Sequence, residues 1–130
     1  MKCFCLTACP SMETLTSSLG VITSPSYPRN YGNNHRCGWK IIASRGYRVV
    51  LFIDDVDIEG GTNCPYDYIE FQNGVFYNGG VPPGRFCGTS NISTIFSNRE
   101  TLIVRFVSDG SVTRRGFKAR FLMISSGSCK

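Results

Sequence analysis

Asp54, Asp55, Asp57, Glu59 and Asp67 crowd into a short stretch of a 130-residue chain that holds only nine acidic residues against fourteen basic ones. The chain as a whole carries +5, so this stretch is a local negative field on a basic protein. Crowded carboxylates repel one another, and a hard cation relieves the repulsion by taking them as oxygen ligands. Ca²⁺ suits such a place, because it accepts six to eight oxygens from carboxylates, backbone carbonyls and water, and Gly60-Gly61 lets the chain bend around it. The same residues with no ion make a solvated acidic loop. Composition leaves both readings open.

The second chemistry-bearing set is seven cysteines, Cys3, Cys5, Cys9, Cys37, Cys64, Cys87 and Cys129. Such use of cysteine in a small chain fits an oxidising, extracellular compartment. No CxxC pair with zinc-ribbon spacing is present, and the single histidine, His35, excludes His-rich metal sites. Spacing alone leaves the connectivity open. An odd count leaves one thiol over.

These residues have to be positioned by strands. Trp39, Ile41 and Ala43 alternate with Lys40, Ile42 and Ser44, and Leu102, Val104 and Phe106 alternate with Ile103, Arg105 and Val107. Phe117, Ala119 and Phe121 alternate with Lys118 and Arg120, while Tyr47 to Ile53 is an unbroken run that predicts a strand buried on both faces. Turn formers separate the runs: Ser24-Pro25, Tyr27-Pro28, Gly60-Gly61, Asn73-Gly74 and Pro82-Pro83-Gly84. The expected class is all-β, a sandwich or barrel in one domain. No apolar run approaches the roughly 18 residues of a membrane span. Met1 to Cys9 makes a poor secretory signal, since Thr7 interrupts a short apolar stretch. The expectation is a module whose address lies on a larger mosaic precursor.

The order of motifs carries a resemblance. Gly20 to Pro28, Tyr31 and Cys37-Gly38-Trp39-Lys40-Ile41 are followed by Val49 to Phe52, Asp57-Ile58-Glu59 and Cys64 to Glu70. Then come Arg85-Phe86-Cys87-Gly88, Leu102 to Phe106, Ser108 to Ser111 and Gly116 to Phe121. In this order they resemble a CUB domain, of the calcium-binding subtype found in complement proteases, tolloid-like proteases and cubilin. The likeness implies a jelly-roll-like β-sandwich of two antiparallel sheets over residues 9–123, with 1–8 and 124–130 as tails. It also implies the bridges Cys9–Cys37 and Cys64–Cys87. That leaves Cys3, Cys5 and Cys129; a further bridge such as Cys5–Cys129 and unpaired remnants of a longer chain are both open.

The resemblance decides the acidic cluster in favour of Ca²⁺. It implies Glu59, Asp67 and Asp109 as side-chain ligands with Ser111 nearby, and Tyr27 orienting a ligand carboxylate. Val112 departs from the family, whose calcium-binding members often have Asn there. Three carboxylates around Ca²⁺ leave a net negative site, and the resemblance implies that a protein partner's Lys or Arg is received there, at Tyr27, Glu59 and Asp109. The rival reading is a spermadhesin-like secreted protein that binds acidic, heparin-like glycans. It would use Arg114, Arg115, Lys118 and Arg120, or Arg29, His35, Arg36 and Lys40.

Asn91-Ile92-Ser93 is the one N-glycosylation sequon, expected in a secreted loop. Catalysis is not expected. His35 has no GxSxG elbow to serve, and a Cys–His pair would draw on cysteines taken by the bridges. Glu59 and Asp67 imitate a glycosidase pair but are claimed by the ion. No phosphate loop or nucleic-acid signature is present, and the chain is expected to be secreted.

Overall fold

The structure is a computed structural model that describes residues 9–76, 80, 84–89 and 91–125. Among these residues the chain forms strands only: β1 (Glu13–Leu15), β2 (Leu19–Thr23), β3 (Arg36–Ile42), β4 (Tyr47–Asp57), β5 (Tyr68–Gln72), β6 (Gly74–Phe76), β7 (Ile95–Ser97), β8 (Thr101–Val107) and β9 (Gly116–Ser125). They build two sheets, of order β1-β3-β8-β5 and β2-β9-β4-β7-β6. Every pairing is antiparallel except β1 with β3. The parallel pair follows from the bridge between Cys9 and Cys37 and from the Gly38 amide, which donates to the Pro10 carbonyl at 3.0 Å. Together they lay the entering chain alongside β3. β9 runs to Ser125, opposite Tyr47, two residues past the expected domain edge.

Alternation puts one face of each strand inside. In β8, Leu102, Val104 and Phe106 are wholly buried while their neighbours are half-exposed. They meet Val49, Leu51, Phe117 and Ala119 of the opposing sheet. Edge-on rings fill the middle: Trp39 against Phe117 at 5.6 Å and Tyr31 against Phe106 at 4.9 Å. The expectation for β4 holds only at its centre, since Val49, Val50 and Leu51 are buried while Tyr47 is exposed and Phe52 half-buried. Phe52 lies on the outer face under the Arg120 guanidinium, 5.2 Å from the ring, so a cation covers part of what a second layer would.

Two disulfides stand where the family likeness put them, Cys9–Cys37 and Cys64–Cys87, closing loops of 28 and 23 residues. Each stabilises by roughly 3 kcal/mol on the loop-entropy estimate. Cys3, Cys5 and Cys129 lie outside the described residues, and so does any bridge between Cys5 and Cys129.

One end of the sandwich is closed by a zipper between residues 24–35 and 108–117. The Ser24 amide donates to the Phe117 carbonyl at 3.1 Å, and the Phe117 amide returns a bond to Ser24 Oγ at 2.9 Å. The Tyr31 amide donates to the Arg114 carbonyl and the Asn34 amide to the Asp109 carbonyl, at 2.9 and 2.8 Å. Ser108 Oγ donates to the Gly32 carbonyl and accepts from the His35 amide, which gives His35 a structural place. Beside the zipper, Asp55 takes a forked bond from Arg115 at 2.6 and 2.7 Å and the Tyr27 hydroxyl at 2.6 Å. The Arg115 hydrogen bonds hold the Asp55 carboxyl below the usual carboxylate range, against the opposing effect of burial.

Gly116 joins the zipper to β9 at φ +96°, and a Cβ there would lie 1.8 Å from Ser24 Oγ. Gly116→Ala is therefore expected to cost roughly 3 kcal/mol, from left-handed strain plus overpacking. Gly46→Ala is expected to cost only about 1 kcal/mol, because Gly46 has φ +85° but open space around its Cβ position. Urea unfolding of both variants checks this; equal losses would mean that the Ser24 contact does not constrain the fold. Asp55, depressed in the folded state, contributes stability above its unfolded pKa near 4 and loses it as pH falls through the folded value. The gap in urea midpoint between the native chain and Asp55→Asn should thus be widest at neutral pH and shrink by pH 3. A gap unchanged in acid would contradict the pairing.

Candidate metal centre

Three segments deliver carboxylates to the zippered end. β4 leads into Ile58, whose backbone forms a two-bond antiparallel bridge with Gly88, and Glu59 follows at once. The chain then loops to Cys64, tied to Cys87, and returns through Asp67 into β5. β8 ends at Val107, so that Ser108 and Asp109 emerge beside them. Disulfide, bridge and zipper each fix one of the three.

The result is a cluster in which one carboxylate oxygen from each of Glu59, Asp67 and Asp109 lies within 4.8 Å of the others. Asp67 is wholly buried. The Tyr31 hydroxyl donates to its Oδ2 at 2.5 Å and the Asp109 amide to its Oδ1 at 2.8 Å. Tyr31 also accepts the Glu59 amide at 3.2 Å, so one phenol ties two of the three acidic residues. The Ser111 amide donates to Asp109 Oδ1 at 3.3 Å.

Burial raises the Asp67 carboxyl above the usual carboxylate range, although the Tyr31 hydroxyl and the Asp109 amide pull it back. The Glu59 carboxyl is raised by desolvation first, then by the charges of Asp67 and Asp109. Burial and the bond to Asp67 push the Tyr31 phenol well above its ordinary value, so Tyr31 keeps its proton and remains a donor. Glu59 Oε1 is buried with no hydrogen-bond partner. A buried carboxylate oxygen left bare beside two other carboxylates is costly unless a cation meets it. The donor set is all oxygen, three carboxylates, which is what a hard cation of the Ca²⁺ type takes. The residues fit the ion.

Glu59, Asp67 and Asp109, expected together, are together. Ser111 is exposed one residue beyond Gly110, joined to the cluster through its amide. Tyr27 is elsewhere: its hydroxyl is on Asp55, and the phenol that orients a cluster carboxylate is that of Tyr31. Both tyrosines stand four residues apart in the same turn-rich stretch, and the alternation of neighbouring residues does not distinguish them. What separates them is burial, Tyr31 being 1% exposed under Phe106. Val112 has φ +59° and is half-exposed. That left-handed backbone suits Asn and strains a β-branched residue.

Two of the four residues of the first basic group are spent. Arg115 pairs with Asp55 and Asp57, and Arg120 pairs with Asp54. Asn91 is exposed, with Ile92 buried beside it.

Residues 9–121 match the CUB domain family. The chain is 36% identical to Tolloid-like protein 2 of Homo sapiens over 120 residues, which are 92% of this chain and 12% of that protein. It is 42% identical to cubilin of Canis lupus familiaris over 101 residues, 77% of this chain and 3% of that protein. The chain thus spans a small part of the relatives it matches. A crystal structure of the MASP-1 CUB2 domain bound to Ca²⁺ superposes with a TM-score of 0.72 at 32% identity, covering 84% of this chain and 96% of that one. With nearly the whole described chain matched, two sheets formed and both bridges in place, the chain belongs to the CUB domain family.

Proposed function

We propose that this chain is an extracellular, non-enzymatic interaction module that holds Ca²⁺ at Glu59, Asp67 and Asp109 and offers that acidic surface to a Lys or Arg of a protein partner. The observation that carries the reading is the bare, buried Oε1 of Glu59 beside the Asp67 and Asp109 carboxylates. The MASP-1 CUB2 domain, similar over most of this chain, has been crystallised with Ca²⁺, which supports the choice of ion. Two disulfides support an oxidising compartment. Bound there, the ion would neutralise most of the carboxylate repulsion and leave a net negative surface. Asp67, held by Tyr31 and the Asp109 amide, fixes the arrangement, while the half-buried Glu59 and Asp109 are reachable from outside. An incoming ammonium or guanidinium makes charge-assisted bonds to preorganised acceptors. Asn91, exposed beside buried Ile92, is a glycosylation site on this reading.

The glycan-binding alternative is weaker, because Arg115 and Arg120 are already neutralised by aspartates. Steep salt sensitivity with indifference to chelation would favour it.

Calorimetric titration of the chelated protein should give one Ca²⁺ site, with a Kd of about 10⁻⁴–10⁻³ M if it resembles extracellular modules. Glu59→Gln and Asp109→Asn should lose it while keeping the fold. No heat at 10 mM Ca²⁺ would end the proposal. At a hundredfold excess over Kd the ion should stabilise the fold by about 2.7 kcal/mol, read as a rise in Tm that EDTA reverses. Val112→Asn should raise stability by about 1 kcal/mol by relieving the left-handed strain; an unchanged urea midpoint would contradict it.

A further inference from the structure

Beside the acidic cluster lies a second feature of opposite sign. Arg36 of β3, Val107 of β8 and Tyr68 of β5 are in register across the sheet, on its outer face. The Arg85 guanidinium stacks over the Tyr68 ring at 4.0 Å from its centroid, and its Nη1 donates to the Cys64 carbonyl at 3.1 Å. Tyr66, 48% exposed, stands nearby. Together with Asp109 these side chains line a cleft of about 410 Å³. Among the described residues no carboxylate pairs with Arg36 or Arg85, whereas Arg115, just before β9, and Arg120 of β9 are both paired.

We propose that this cleft takes the carboxylate of an Asp or Glu on the same protein partner whose Lys or Arg enters the acidic cluster, so that the partner is recognised by a cation and an anion side by side. The inference rests on the reading of the cluster given above. Asp109 belongs to both places, so a single short segment reaches both. Arg85 is braced by the ring and the carbonyl, so little side-chain freedom is lost when it meets a carboxylate. Arginine with exposed tyrosine is also the composition of protein-binding surfaces. A sulfated glycan laid across the cleft would carry its further sulfates against Glu59 and Asp109, which disfavours it.

The test uses NMR titration of the calcium-loaded protein with two synthetic peptides, Ac-Lys-Gly-Glu-NH₂ and Ac-Lys-Gly-Gln-NH₂, and with versions carrying two or three glycines. Both should shift the backbone amides of Glu59 and Asp109. At one spacing at least, the Glu peptide should bind about three- to fivefold more tightly, the range of a solvent-exposed ion pair, and should also shift the Nε–H signals of Arg36 and Arg85. Arg36→Gln should bring that ratio close to one while leaving the Gln peptide unaffected. Arg85→Gln should do the same; if it loosens the Cys64 loop, Arg36→Gln still decides. Equal binding of each Glu and Gln pair, with the Glu59 and Asp109 amides shifting for both, would overturn this inference and leave the acidic-cluster reading standing. No shift at Glu59 and Asp109 with any peptide would overturn both. A heparin octasaccharide that shifts Arg36 and Arg85 at lower concentration than the Glu peptides would assign the cleft to a glycan and overturn it too.

Discussion

The wholly buried carboxylate of Asp67 is the constraint on which the rest of this end of the molecule depends. A carboxylate cannot sit at zero exposure without partners, and this one has the Tyr31 hydroxyl on one oxygen and the Asp109 amide on the other. Those two partners come from different loops, so each loop must be held. The zipper from Ser24 to His35 against Ser108 to Phe117 does that, and Tyr31 adds the Glu59 amide to the same hub. The rings of Tyr31, Phe106 and Phe117 in turn connect the hub to the sandwich core. Core packing, loop conformation and carboxylate geometry are therefore one cooperative unit.

The aspartates and glutamate that crowd the sequence are sorted by what faces them. Asp54 and Asp55 each receive a forked arginine, and Asp57 shares Arg115 with Asp55. They brace the outer face of the five-stranded sheet. Glu59, Asp67 and Asp109 make no salt bridge among the described residues. Position along the chain, with a register irregularity in β4 between Ile53 and Asp55, accompanies the division. Asp54 and Asp55 lie along β4 within reach of Arg120 of β9 and of Arg115 just before it, whereas Glu59 lies beyond the strand, near the Asp67 and Asp109 carboxylates. A composition that reads as one acidic patch is two systems, one neutralised and one left for a cation.

Much of this was legible in the residues. The alternating runs marked the strands of the core, since burial on one face imposes a period of two. The ordered motifs marked the family, both bridges and the acidic triad. Three features were not legible. Tyr27 and Tyr31 share a stretch of turns, and only three-dimensional burial gives the cluster to Tyr31 and the Asp55 clamp to Tyr27. The parallel seating of β1 depends on a disulfide and a single backbone bond, neither of which leaves a periodic trace. The half-covered outer face of β4 escaped because an arginine from β9 shields Phe52, and periodicity does not register a cation over a ring.

The proposed recognition surface requires that Glu59, Asp67 and Asp109 jointly hold Ca²⁺. The most direct measurement is a crystal grown in millimolar CaCl₂ and measured at a wavelength where calcium scatters anomalously. The account predicts one anomalous peak bounded by these three carboxylates, at about 2.3–2.6 Å from their oxygens, with Tyr31 still bonded to Asp67. A map with no peak there, or with Glu59 turned out to solvent, would contradict it.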